Sequence, residues 1–316
     1  MNPEAPGTAV GAASLGGARP SRPRSIVAFL VGAGLLVAAG WVVARQGEVL
    51  NGAWESIRSA PPLLMVAAMG LPLVNFALVS VSFWLLMRRE GRVSLLEMTC
   101  LIGAAWLLNF MPMRPGLVGR IAYHRAVNGI PVARSVRVTL VGLAAAGGAA
   151  LTTLLIAAAL GAGASGSAWA AALSAPVLAA GAVTGVLKGA GSPRWVYGAT
   201  FVLRYLDTLV WALRYWVLFA LVGSPIEFGG AVAVGAVAQA AMLIPLVGNG
   251  LGIREWAAGL TAGALPAGVF DPRGAPAAVG LAADLVNRAI EIAVAVPVGV
   301  ASSLWLASRI RSRRPA

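Results

Sequence analysis

Charge, lysine, histidine and cysteine are all scarce in this chain, and each shortage excludes something. Charged residues make up 11% of the 316, against roughly a quarter in a typical soluble domain. Since 59% of the residues are hydrophobic, a soluble fold of this length has nowhere to hide the apolar surface. One lysine, Lys188, stands among 24 basic residues; with the excess of Ala and Gly, this reads as codon bias in a GC-rich bacterial genome. The single cysteine, Cys100, excludes an internal disulfide and reads as a buried spectator thiol. The single histidine, His124, has no metal-ligand neighbours and is expected at the cytoplasmic interface. No HExxH, CxxC or GKS/T loop occurs, and no nucleophile stands beside a base. Enzymatic activity, a metal and a cofactor are therefore not expected.

What the chain does have is long apolar runs. Residues 26–44, 63–87, 138–160, 169–187, 196–222 and 277–307 each suit a spanning helix of about 20 residues. They predict an all-α polytopic integral membrane protein with about six full spans. Residues 1–24 read as a disordered cytoplasmic tail, 25–308 as the transmembrane domain and 309–316 as a basic cytoplasmic tail. The net charge of +13 comes from short basic clusters beside apolar runs. That is the positive-inside pattern, not a nucleic-acid footprint. It places both termini in the cytoplasm and the chain in a bacterial plasma (inner) membrane. The segment with Arg45, Glu48, Glu55 and Arg58 sums to zero and reads as an external loop.

Two other apolar segments do not read as crossings. If the apolar run 95–113 crossed, Arg114, Arg120, Arg125, Arg134 and Arg137 would lie on the wrong side, so 94–130 is taken as one unit. Pro112, Pro115, Gly116 and Gly119 supply a break, so the segment reads as a re-entrant hairpin entering from the cytoplasm. Residues 228–266 must start and end outside if the last span is to end inside at Arg309 and Arg311. Pro245, Gly248, Gly250 and Gly252 break this second hairpin. Three spans separate the hairpins, so they point opposite ways, the layout of an inverted repeat. Both tips contain Gly-Leu-x-x-Arg, as Gly116–Arg120 and Gly250–Arg254. Gly248-x-Gly250-x-Gly252 is superficially like a nucleotide loop but lacks the strand–turn–helix context.

Broken backbone at membrane depth is tolerated only against protein or a water-filled cavity. A half-helix starting near Gly250 would aim free N–H groups and a positive dipole end into the membrane, with Arg254 in its first turn. That combination predicts an anion site. More charge lies in the spans. Arg204, Asp207 and Arg214 share one helical face, as do Asp284, Asn287, Arg288 and Glu291. A charge at the bilayer centre costs about 2.5–3.5 kcal/mol. These groups, with Arg254 and Glu255, are either buried pairs that hold helices in register or the lining of a polar pathway. The pathway is the favoured reading, because buried pairs bring little net stability. Arg120 and Arg254 lead the substrate-binding candidates, each beside a break. Asp284, Arg288 and Glu291 follow, and Arg204, Asp207 and Arg214 come last, since Arg214 could snorkel toward a helix end.

The stretch from Asn109 through Pro112, Arg114, Gly116 and Gly119 to Arg120 is similar to an Asn-x-x-Pro-x-Arg-x-Gly-Glu-x-x-Arg pattern. Pro245…Gly250–Leu251–Gly252–Ile253–Arg254–Glu255 looks like a Pro…Gly-Gly-Leu-Gly-x-Arg-Glu signature. Arg288, ahead of Gly299, looks like the arginine of a last helix. In these motifs the chain resembles the lysylphosphatidylglycerol synthase/flippase transmembrane-region family. Leu117 stands where that family has the glutamate, and Asn249 where it has the first paired glycine. The resemblance adds Asn109 and Arg114 to the substrate-binding candidates and implies a domain that moves polar lipids between leaflets. In the best-known members an aminoacyl-transferase domain follows. This chain ends soon after its last span, so lipid aminoacylation is not expected.

The expected function is therefore a flippase or transporter of lipids with an anionic headgroup. Its partners are membrane lipids and no nucleic acid, with homo-oligomerisation left open. A secondary transporter of a small anion remains an alternative, as does a non-transporting partner of a lipid or glycan synthesis enzyme.

Overall fold

The computed structural model describes residues 22–45, 47–111, 115–161, 164–243, 250–266, 268–269 and 274–312. Among these residues there are eleven helices and no strand. In chain order they are α1 (Arg22–Arg45), α2 (Gly47–Arg58), α3 (Pro62–Met87), α4 (Leu95–Leu108), α5 (Pro115–Asn128), α6 (Val132–Leu160), α7 (Gly166–Gly189), α8 (Trp195–Leu221), α9 (Phe228–Met242), α10 (Ile253–Gly263) and α11 (Pro276–Ser312). The expected tip residues Pro112, Arg114, Pro245 and Gly248 lie outside the described residues.

Helices α3, α6, α7 and α11 are each long and apolar enough to cross a membrane. Their outward faces are apolar too: on α7, Leu178 is 70% exposed and Val186 73%. An exterior of this kind belongs in lipid rather than in water. The segment holding Glu48, Glu55 and Arg58 is a correction to the expected loop. It forms α2, which buries Val49 and Ala53, four residues apart, against the ends of α1 and α8 and the start of α11.

Contacts at the two ends of the bundle fix how the short helices enter it. At one end Arg137 on α6 meets Glu90, just past α3, at 2.6 Å. There too Arg309 on α11 meets Glu97 on α4 at 3.1 Å, and Arg89 lies over Tyr197 at the start of α8. This end is the basic one. Helix α4 begins here, and α5 ends here, with Tyr123 packed against Cys100 and Leu306. At the other end Phe219, Val222 and Ile226 pack with Val269, Ala278 and Val279. Helix α9 begins there, where the Glu227 N–H donates to the Val269 carbonyl at 3.0 Å. Helix α10 ends there, on the start of α11: a Cβ added at Gly280 would fall 2.9 Å from the Cα of Gly259. The start of α4 and the end of α5 thus lie at the basic end, and the start of α9 and the end of α10 at the other.

Candidate functional site

The site is built from a few buried polar residues on otherwise apolar helices. Asn75 on α3 donates through Nδ2 to the carbonyl of Asp207 at 2.9 Å and to its Oδ1 at 2.6 Å. Gln239 on α9 donates to Asp207 Oδ2 at 3.2 Å, and Arg204 Nη1 lies 3.1 Å from the same oxygen. One buried carboxylate on α8 therefore gathers two amides and an arginine. Three helices are tied together by this, and a buried charge is stable only with such partners.

Seven residues on, Arg214 donates to Glu291 Oε1 at 2.7 Å, to Asn75 Oδ1 at 3.2 Å and to Asn287 Oδ1. It does not snorkel toward a helix end. Its guanidinium lies over Trp211, 4.0 Å from the ring centre. Glu291 Oε2 accepts from Arg254 Nη1 at 2.7 Å, and Arg254 Nε donates to Asp284 Oδ2 at 3.0 Å. Asp284 Oδ1 also accepts from the Tyr215 hydroxyl at 2.6 Å and from Asn287 at 3.0 Å. Beside this chain, Arg288 Nη2 and Glu255 Oε1 are 2.5 Å apart.

A cavity of about 270 Å³ opens against part of this network. Its polar lining is Asn75, Asn109, Arg120, Thr139, Arg204, Asp207, Arg214, Gln239 and Glu291. Aromatic walls come from Phe76, Phe83, Trp106 and Trp211. The ends of α4 and α9 face it. Asn109 at the end of α4 and Leu117 on α5 line one side, and Met242 and Leu243 at the end of α9 line another.

Arg120 comes from the first pair. Gly116 makes that placement possible, because a Cβ there would meet the Ala105 carbonyl and stand 2.6 Å from the Ala105 Cα. Helix α5 thus passes directly over the end of α4. The Arg120 guanidinium donates to Thr139 Oγ1 at 3.1 Å and lies 4.0 Å over Phe83. Among the described residues no carboxylate pairs with it. The cavity wall therefore holds Arg120, Arg204 and Arg214 against Asp207 and Glu291, an excess of one positive charge.

The second pair is arranged differently. Gly250 and Gly252 have φ of 67° and 78°, left-handed backbone that a side chain resists, and Gly252 caps α10. Arg254 follows at once but is 0% exposed. None of residues 250–255 lines the cavity, nor do Asp284 and Arg288. Of the expected binding residues, the cavity thus brings together Asn109, Arg120, Arg204, Asp207 and Glu291. Arg254, Glu255, Asp284 and Arg288 stand behind its wall, and Arg114 lies outside the described residues. His124 is fully buried at the basic end, its Nδ1 3.1 Å from Asn128 Nδ2.

Sequence reasoning missed Asn75, Thr139, Gln239 and Tyr215. Asn75 and Gln239 had a readable signal, a lone amide inside an apolar run. Thr139 and Tyr215 had none, since both residue types sit comfortably in ordinary membrane helices.

The chain matches no family model, and no characterised protein matches it. The resemblance drawn from the two glycine–arginine motifs rests on those residues alone.

Proposed function

We propose that this protein moves an anionic polar lipid between membrane leaflets, with the headgroup held in the cavity between the two helix breaks. One observation carries the reading: Arg120 presents a guanidinium to that cavity with no carboxylate partner among the described residues. A buried cation in this position is balanced by the phosphate it binds. In this reading α4–α5 and α9–α10 are re-entrant hairpins entering from opposite faces, and α1, α3, α6, α7, α8 and α11 make the full crossings. Lengths of 14, 14, 15 and 11 residues for the four short helices support this. At 1.5 Å per residue they reach roughly 16–22 Å, short of a hydrocarbon core of about 30 Å. The basic end faces the cytoplasm of a bacterial inner membrane by the positive-inside rule.

The test is leaflet exchange in proteoliposomes, using phosphatidylglycerol with a fluorescent headgroup-side label and an impermeant quencher. Wild-type protein equilibrates the two leaflets, and Arg120→Ala slows exchange by at least tenfold while remaining monodisperse. An Arg120→Ala rate equal to wild type overturns the assignment of the site. No exchange by the wild type, with or without a pH gradient, overturns lipid movement itself. Uptake of inorganic phosphate in that same preparation would then identify a transporter of small anions.

A further inference from the structure

We infer that the acyl chains of the moving lipid leave the cavity sideways, through a portal between α5 and α6 rimmed by Leu117 and Leu143. The inference rests on the lipid-transport reading and says where the lipid passes.

Thr139, Leu143 and Ala146 on α6, at spacings of four and three, place one face of that helix on the cavity. Leu143 is also 41% exposed, and of the residues lining the cavity it alone is exposed. One side chain therefore borders both the cavity and the outside. Across from it on α5, Leu117 lines the cavity and is half-buried. Val118 and Leu140, the next residues outward on the two helices, are 64% and 59% exposed. The rim is apolar on both sides. Just inside it, the hydrogen bond from Arg120 to Thr139 ties α5 to α6. An amphiphile lying across this rim has its phosphate at Arg120 and its chains against leucine and valine.

Depth decides what the opening meets. Arg137, paired to Glu90 at the basic end, marks the headgroup level on α6. Leu143 is six residues further along the helix, roughly 9 Å at 1.5 Å per residue. That puts the rim within a hydrocarbon core of about 30 Å. At this depth a side opening admits acyl chains and not water, so a freely soluble anion has no use for it.

The experiment uses full-length protein in liposomes containing phosphatidylglycerol with a diazirine midway along one acyl chain. After photolysis, labelled peptides are mapped by mass spectrometry. The portal predicts labelling concentrated on residues 115–121 and 138–146 that falls several-fold in Arg120→Ala. Labelling of α7, whose outward face touches bulk lipid, stays unchanged. Leu143→Trp slows phosphatidylglycerol exchange several-fold, whereas Leu178→Trp on α7 leaves it at the wild-type rate. Leu143→Trp keeps the wild-type unfolding temperature and stays monodisperse, so its slower exchange is not a folding defect. Exchange by the wild type with Leu143→Trp unimpaired, or α5–α6 labelling indifferent to Arg120, overturns the portal and leaves lipid transport standing. No exchange by the wild type overturns both.

Discussion

The two broken helix pairs carry the same Gly-Leu-x-x-Arg motif and surround its arginine in opposite ways. In α4–α5, Arg120 lines the cavity and rests on a threonine hydroxyl and a phenyl face. In α9–α10, Arg254 is fully buried between Asp284 and Glu291. The first has its positive charge to spare, while the second spends it inside the protein. The glycines differ as well. Gly116 is required for space, over the backbone of Ala105, and Gly250 for backbone conformation, at φ 67°. The difference teaches that a repeated motif specifies a backbone break beside an arginine, and that the neighbouring helix decides whether this arginine is open or locked. For the second pair the neighbour is α11, with acids at Asp284 and Glu291. For the first it is α6, with only the hydroxyl of Thr139 nearby.

The largest expected effect follows from the locked arginine. Arg254→Ala leaves buried Asp284 with no cation among the described residues and Glu291 with Arg214 alone, and should cost about 3–5 kcal/mol, read as a collapse of thermal stability in detergent. Arg120→Ala strands no acid, and Thr139 keeps its hydrogen bond to the Ser135 carbonyl at 2.9 Å. It should therefore cost less than about 1.5 kcal/mol, within the usual net worth of a hydrogen bond, while abolishing transport. A stable but inactive Arg254→Ala would break the comparison, because Arg254 would then be a binding residue like Arg120. Adding Asp284→Asn to Arg254→Ala removes the stranded charge, with Glu291 still paired to Arg214, and should recover part of the loss.

Next come the glycines. Gly116→Ala forces a methyl into the α4 backbone and should cost about 1–3 kcal/mol, with transport reduced because Arg120 shifts along with α5. Gly119, three residues on, has nothing within 4 Å of an added Cβ. Gly119→Ala in the same helix should therefore gain about 0.5–1 kcal/mol. Gly250→Ala meets its nearest atom, Met242 Cγ, only at 3.3 Å, so its cost is mainly the left-handed backbone, roughly 1–2 kcal/mol. If Gly116→Ala and Gly119→Ala unfold at the same temperature, the close crossing of α4 and α5 is not what positions Arg120.

Much of the layout was legible because lipid leaves few choices. Hydrophobic runs marked the long helices to within a few residues at most ends, and the arginine clusters marked the end of the bundle where α3, α4, α6 and α11 meet. The prolines and glycines marked both breaks. What was not legible depends on which helices touch. Helical spacing placed Asp284, Arg288 and Glu291 on one face. It could not show that Arg254 lies on that face and fills it, since this depends on α10 packing over Gly280 of α11. The α2 helix was hidden for another reason. The charges of residues 45–58 cancel, and charge balance was read as a loop, while the four-residue spacing of Val49 and Ala53 carried the helical signal. Asn75 and Gln239 were visible as lone amides in apolar runs, but only α3 and α9 packing against α8 shows that both serve Asp207.

The smallest expected effect sharpens the comparison from outside the site. Glu90 meets Arg137 at 2.6 Å and Arg134 at 3.8 Å, and those arginine side chains are 63% and 56% exposed. Chemically this is the same interaction as Arg254 with Glu291. Here water and ions reach both arginines, so Coulomb attraction is weak and the side chains lose freedom to meet. Glu90→Gln should therefore cost at most about 1 kcal/mol, and raising the salt should shrink even that. Unfolding temperatures of the wild type, Glu90→Gln and Arg254→Ala at low and high salt separate the two environments. The Glu90→Gln difference should fade with salt, and the Arg254→Ala difference should persist, because ions do not enter a fully buried network. If both differences fade together, water reaches Arg254, and the second arginine is open to the cavity side like the first.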